Sequence, residues 1–300
     1  MVRDYAPGVS KRFSRAARSH AASMIPADVA AAANNCEINE AMEWLAAHPQ
    51  SVNEVDAGGE SLLVLCVNES YDGIETNQDD QLELVRYLLS QGADPNLSSG
   101  SDDETPLYAC CGSGRAHPFP HAQLLVACLL RAGADPNLKV AENAPLFSAL
   151  DCFLGADEGS WVLPVVAHLL RYGASLDNCE GNRSAEEVIA EEEQRWPELV
   201  KGNLEFQAAA ILIRGVRAAG SWKKYCRKWG PHRDILRLRS LVVRGRGTTS
   251  DTWLAGMVRL KENGLVWKVL SFWRDPDDVE EIVLPPDEEW PEPYIVRVYD

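Results

Sequence analysis

One ten-residue string occurs almost unchanged twice, and it limits the chain to a narrow set of folds. Leu88-Leu89-Ser90-Gln91-Gly92-Ala93-Asp94-Pro95-Asn96-Leu97 returns as Leu129-Leu130-Arg131-Ala132-Gly133-Ala134-Asp135-Pro136-Asn137-Leu138. A third version, Leu169-Leu170-Arg171-Tyr172-Gly173-Ala174-Ser175-Leu176-Asp177, follows at about the same interval of ~40 residues. An earlier, decayed version reads Trp44-Leu45-Ala46-Ala47-His48-Pro49-Gln50-Ser51-Val52-Asn53. Roughly eight to ten residues after each string comes a second shared element: Glu60-Ser61-Leu62-Leu63, Glu104-Thr105-Pro106-Leu107, Asn143-Ala144-Pro145-Leu146 and Asn182-Arg183-Ser184-Ala185. A unit of this size cannot bury its apolar face alone, so such units fold by stacking.

The local chemistry says what each unit contains. Thr105 can cap a helix through its hydroxyl, and Pro106 suits the first helical turn, where its missing N–H would have no partner. Gly92, Gly133 and Gly173 stand where a second helix ends, a position that favours a left-handed residue. Asp94-Pro95-Asn96 and its copy then begin a turn. Cys66, Cys110 and Ala149 supply the small side chain that close packing of the first helices needs.

These motifs resemble the ankyrin repeat, in which Gly-x-Thr-Pro-Leu-His opens one helix and Leu-Leu-x-x-Gly-Ala-Asp closes the next. The resemblance implies an all-α ankyrin-repeat solenoid of four to five units over residues 27–220, with 27–48 as the N-terminal cap and 181–220 as an atypical last repeat. The period exceeds the usual ~33 residues. The surplus falls at 68–80, 115–120 and 155–161, polar or Pro/Gly-containing stretches that read as enlarged inter-helix loops. They are either tolerated insertions or part of a binding face.

Composition agrees with a folded, soluble chain. Hydrophobic residues make up 46% of 300, enough for a sizeable core. A net charge of −16 weighs against the whole chain binding nucleic acid, which needs clustered Lys and Arg. The longest apolar runs fall far short of the roughly 20 residues a membrane helix requires. The eight cysteines are scattered without CxxC or zinc-type Cys/His grouping, so buried free thiols in a reducing cytoplasm or nucleus are expected. Residues 1–26 form a basic segment with Arg3, Lys11, Arg12, Arg15 and Arg18, a composition shared by organelle transit peptides and frayed tails.

No catalytic frame is present: no GxSxG, phosphate loop, GxGxxG or HExxH. His117 and His121 have a metal-chelating spacing, but Pro118 and Pro120 interrupt the helix it would need. The expectation is therefore a non-enzyme without cofactor or metal, a monomer that binds another protein. Repeat stacks bind through their turn tips and first-helix face. The candidate contacts are Ser98, Ser99, Asp102, Asp103, Tyr108, Lys139, Glu142, Phe147 and Asp151. Tyr108 and Phe147 occupy the position of the motif's His, where a core role is the alternative. Glu186, Glu187, Glu191, Glu192 and Glu193 read as a solvated face of the last repeat, with an acidic binding patch as the other reading.

The character changes after Gly220. Residues 221–247 are basic and interleaved with Trp222, Tyr225 and Trp229, whereas 276–300 form an acidic, proline-rich tail with one short strand expected at 294–298. Three apolar-periodic segments, around 235–242, 253–260 and 265–273, predict a small helical C-terminal unit over 221–275. Arg239-Ser240-Leu241-Val242-Val243 resembles the start of the adaptor-binding helix of a SOCS box, although Gly245 stands where that pattern has cysteine. Leu265-Val266-Trp267-Lys268-Val269-Leu270-Ser271-Phe272-Trp273 resembles the core of the F-box-like tail of poxviral ankyrin proteins, with Lys261-Glu262 in place of its Leu-Pro. Ser221-Trp222-Lys223-Lys224-Tyr225, with the later Trp267-Lys268-Val269-Leu270-Ser271-Phe272-Trp273, also looks like the shared tail of ankyrin proteins expanded in single-celled algae. The first two resemblances imply a cullin-ligase adaptor docked by Leu238, Leu241, Leu265, Val269, Leu270 and Trp273. A plain cap that seals the stack is the other reading. Nucleic-acid or phosphate binding by 221–247 is a third, since aromatic rings stack on bases and Lys or Arg meets phosphate.

Overall fold

The computed structural model describes residues 25–68, 78–112, 121–151, 162–177, 179–229, 279–284 and 294–299. Helices come in pairs. α1 (Ala27–Asn34) and α2 (Ile38–Ala47) are followed by α3 (Leu62–Val67) with α4 (Gln78–Ser90), then α5 (Pro106–Gly112) with α6 (His121–Arg131) and α7 (Pro145–Asp151) with α8 (Val162–Arg171). The last pair, α9 (Ala185–Arg195) and α11 (Leu204–Ala219), is separated by the short α10 (Pro197–Gly202). First helices pack in the order α1, α3, α5, α7, α9, and second helices in the order α2, α4, α6, α8, α11. The fold is thus an all-α solenoid of two parallel helix layers. Among the described residues, no helix is long and apolar enough to cross a membrane.

Each boundary has a local cause. Ser61 and Thr105 accept hydrogen bonds from the backbone N–H of Val64 (3.3 Å) and Tyr108 (3.2 Å), capping α3 and α5. Ser184 forms a full capping box with Glu187 at the start of α9. Gly92, Gly133 and Gly173 adopt φ of +92°, +96° and +95° at the ends of α4, α6 and α8, where a side chain would be strained. The surplus stretches fall between the helices of each pair, as expected, except that 78–80 belong to α4.

Between the layers runs one continuous core. Leu84, Leu88, Leu125, Leu129, Leu146 and Leu169 are fully buried, and Cys66, Cys110 and Ala149 fill the small-residue position of the first helices. None of the seven described cysteines is in a disulfide, and burial pushes the Cys110 and Cys179 thiols up to about 12, as expected of inert packing residues. A buried polar relay also links neighbouring units. His121 is hydrogen-bonded to the Gln81 side chain, whose amide N–H donates to the Cys66 carbonyl at 2.7 Å.

Outside the core the units are tied by an asparagine ladder. Asn53 donates to the Gly92 carbonyl (3.0 Å) and accepts from Asp94 N–H (2.7 Å). Asn96 repeats both bonds with Gly133 (3.0 Å) and Asp135 (2.7 Å), and Asn137 with Gly173 (3.1 Å) and Ser175 (2.7 Å). The next rung is Asp177. Its carboxylate meets Arg217 of α11, in the atypical unit that follows, at 2.9 Å.

The chain then turns into α12 (Trp222–Trp229), which lies against α11. Tyr225 is buried there with its ring so close to Gly215 that a Cβ on that glycine would stand 2.6 Å from a ring carbon. The strand expected at 294–298 is β2 (Tyr294–Tyr299), and it pairs antiparallel with β1 (Val279–Leu284) from Val279↔Tyr299 to Leu284↔Tyr294. The segment read as an acidic tail thus contributes two strands. Glu280 and Glu281 break the alternation that would have marked β1. β2 runs beside α6 and α8, and β1 beside α11 and α12. The three helical segments expected within 235–273, with Leu238, Leu241, Leu265, Val269, Leu270 and Trp273, lie outside the described residues.

The ladder predicts a measurable effect for one side chain. Asn96→Ala removes two inter-unit hydrogen bonds, each with a net value of about 1 kcal/mol. Its urea unfolding is expected to shift to lower concentration by about 2 kcal/mol of stability. An unchanged midpoint would show that the ladder follows the stacking without reinforcing it.

Candidate protein-binding surface

The candidate contacts fall on the turns that precede α5 and α7 and on the exposed side of those helices. Val140 and Asn143 exchange both backbone hydrogen bonds (3.0 and 2.9 Å), closing a two-residue hairpin over Ala141 and Glu142. Both tip residues have positive φ, +47° and +72°, and Asp103 in the preceding unit has +54°. This is the geometry that Asn-Gly normally supplies, here imposed on residues with a Cβ. The tips are tied sideways, Gly100 N–H to the Gly59 carbonyl at 2.7 Å and Gly181 N–H to the Glu142 carbonyl at 2.9 Å. Fixed in this way, the tips form a row rather than a set of independent loops.

The structure sorts the nine candidate residues into three groups. Ser98, Asp102, Asp103, Glu142 and Asp151 are exposed. Tyr108 and Phe147 are half-buried one unit apart, each one residue past the Pro-Leu that opens its helix, on adjacent helices α5 and α7. Ser99 and Lys139 are engaged between units. Ser99 is buried with its hydroxyl 3.2 Å from Ser61 N–H, and Lys139 donates to the Gly181 carbonyl at 2.9 Å. The surface that remains open is an aromatic pair bordered by acids.

Those acids have neighbours that the motif alone did not indicate. Burial raises the Glu104 carboxyl, and the charges of Asp102 and Glu60 raise it further, so three acids from two units share one edge. Four of the five glutamates of α9 are held. Glu186 pairs with Arg217 at 2.7 Å, Glu193 with Arg214 at 2.7 Å, Glu191 with Arg183, and Glu187 with Ser184 in the capping box. Only the relation between α9 and α11 reveals this, because the arginines lie up to 31 residues away in the chain. Of the basic stretch read for phosphate binding, Lys223, Lys224 and Arg227 are exposed on α12, and 230–247 lie outside the described residues. His117 also lies outside them.

No family model matches the chain. A segment of 68 residues, 23% of the chain, is 35% identical to Ankyrin repeat and KH domain-containing protein mask-1 of Caenorhabditis elegans. The chain spans 2% of the length of that relative. A crystal structure of EF0377, an ankyrin repeat protein, is 17% identical, covers 58% of this chain and 94% of its own, and superposes with a TM-score of 0.33.

The tip over Ala141 and Glu142 carries backbone strain of roughly 1–2 kcal/mol per residue. Replacing the pair by Asn-Gly (Ala141→Asn with Glu142→Gly) is expected to raise the thermal midpoint, with a gain of about 1–2 kcal/mol in chemical unfolding. A lower midpoint would mean that the Glu142 side chain contributes more than its backbone costs.

Proposed function

We propose that the chain is a protein-binding scaffold whose tip row and first-helix face form the contact surface. One observation carries this reading. Tyr108 and Phe147 are half-buried at matching positions of the adjacent helices α5 and α7, and the tips of the same two units carry the exposed acids Asp102, Asp103 and Glu142. Aromatic rings with partial exposure and a polar border are the usual anchors of protein interfaces. Strained tips support it too, since backbone held at positive φ without glycine tends to accompany a functional constraint.

A finer role is recruitment of the bound protein to a cullin ubiquitin ligase through Leu238, Leu241, Leu265, Val269, Leu270 and Trp273. It rests on the resemblance of 239–243 and 265–273 to adaptor-binding helices, and the docking of α12 on α11 favours its rival, a cap.

Two experiments test these roles. Tyr108→Ala with Phe147→Ala is expected to weaken capture of the partner at least tenfold while leaving cooperative thermal unfolding intact. Loss of cooperative unfolding would make both rings core residues. For the finer role, the full chain and a chain ending at Trp229 are compared in cell extract. A cullin and its adaptor recovered with the full chain alone would support ligase docking, and their absence from both would leave a scaffold closed by its own C-terminal region.

A further inference from the structure

The last repeat carries an apolar patch that its neighbours do not cover. Trp196, Leu199 and Leu204 are 41%, 53% and 52% exposed. They are contributed by the end of α9, by α10 and by the start of α11, three helices packed in sequence. A cluster of this kind on an otherwise charged surface marks an interaction site more often than a chance exposure. Trp196 already has a cation on one face, the Arg195 guanidinium 5.6 Å from its ring centre.

One turn before Trp196, on the same face of α9, stands Glu192. The two are joined by the helical bond from Trp196 N–H to the Glu192 carbonyl at 2.9 Å. Glu192 is 8% exposed, and its Oε2 is buried without a hydrogen-bond partner. It is the exception among the α9 glutamates, since the other four are taken by Arg217, Arg214, Arg183 and Ser184. Its neighbour across the α7–α9 contact is Asp151, also an acid, with Glu191 and Glu180 beyond and Arg183 as the nearby cation; burial and then the Asp151 charge raise the Glu192 carboxyl. Glu205, next in the chain to Leu204, likewise has a buried carboxylate oxygen without a hydrogen-bond partner. Buried carboxylates without a cation are costly to keep, and a cation supplied from outside would relieve them.

We propose that this end of the first-helix face docks a basic amphipathic helix of a partner protein. Its lysine or arginine meets Asp151 and Glu192 while its apolar side chains cover Trp196, Leu199 and Leu204. The long stem of either basic residue can lie along the tryptophan while its head reaches the acids. The inference extends and rests on the scaffold reading, because α7 and α9 continue the face that begins at Tyr108; it shares Asp151 with that reading but not Tyr108 or Phe147.

The test uses the full chain and a fluorescein-labelled peptide of leucines and lysines at amphipathic helical spacing, followed by anisotropy. Controls replace every lysine by glutamate or every leucine by serine. The Lys/Leu peptide is expected to bind, with affinity at least tenfold weaker in Asp151→Asn/Glu192→Gln and again in Trp196→Ala/Leu199→Ala, and both control peptides are expected to bind at least tenfold less. Each variant removes an exposed apolar group or an uncompensated charge, so its thermal midpoint should not fall. Unchanged affinity in both variants would overturn the proposal, as would equal binding of the Lys/Ser peptide, which would reduce the effect to overall negative charge. Tyr108→Ala/Phe147→Ala should bind the probe normally. If that variant alone lost the peptide, the scaffold reading would stand and this site would fall.

Discussion

The two hydrogen bonds made by each ladder asparagine set the geometry on which the rest depends. Apolar burial drives the units together, but it has no direction and would tolerate many offsets between neighbours. Asn53, Asn96 and Asn137 each bind one carbonyl and one N–H of the following unit, so rotation or sliding breaks both at once. The carbonyls they bind belong to Gly92, Gly133 and Gly173, the left-handed residues that end the second helices. Cap and ladder are therefore one device. It holds the tips in register, and only because of that register can side chains from different units act as one surface.

This explains which parts of the molecule were legible in the sequence. Helix ends, tips and ladder recur because the same backbone problem is solved in every unit, so Thr105, Gly92, Asp94 and Asn96 announce their roles by position. Tyr108 and Phe147 could be placed on the first helices for the same reason. Ser99 and Lys139 sit at equally regular positions, yet they point into the contact between units, and which way a tip residue points depends on a neighbour roughly forty residues away. Trp196, Leu199 and Leu204 gave no periodic signal, because among the described residues α10 occurs in one repeat alone. Their importance is visible only as exposure.

The last repeat departs from the pattern in ways that share a cause. Where α8 gives way to the pair α9 and α11, ion pairs replace the asparagine ladder. Asp177 takes the place of the next asparagine and finds Arg217, which also binds Glu186 through two nitrogens. Exposed ion pairs are worth little individually, generally under about 1 kcal/mol, but here they join the Asp177 tip to α9 and α11 of the following unit. Gly215 completes the closure. A side chain at that point would hold Tyr225 away from α11, whereas glycine lets the ring seal the apolar end of the second-helix layer.

Closure of the second-helix layer leaves the first-helix layer asymmetric. Among the described residues, α12 lies against α11 and α8, and the β1–β2 pair runs beside α6, α8, α11 and α12, so these additions gather on the second helices. On the tips and first helices Asp102, Asp103, Glu142 and Asp151 are exposed. Burial first, and then the charge of neighbouring acids, makes Glu104 and Glu192 ionise less readily than free carboxyls. A stack selected for stability alone would pair these groups as it pairs Glu186, Glu191 and Glu193. That it does so on one side of α9 and not on the other is most simply understood if the second side is completed by a positively charged partner.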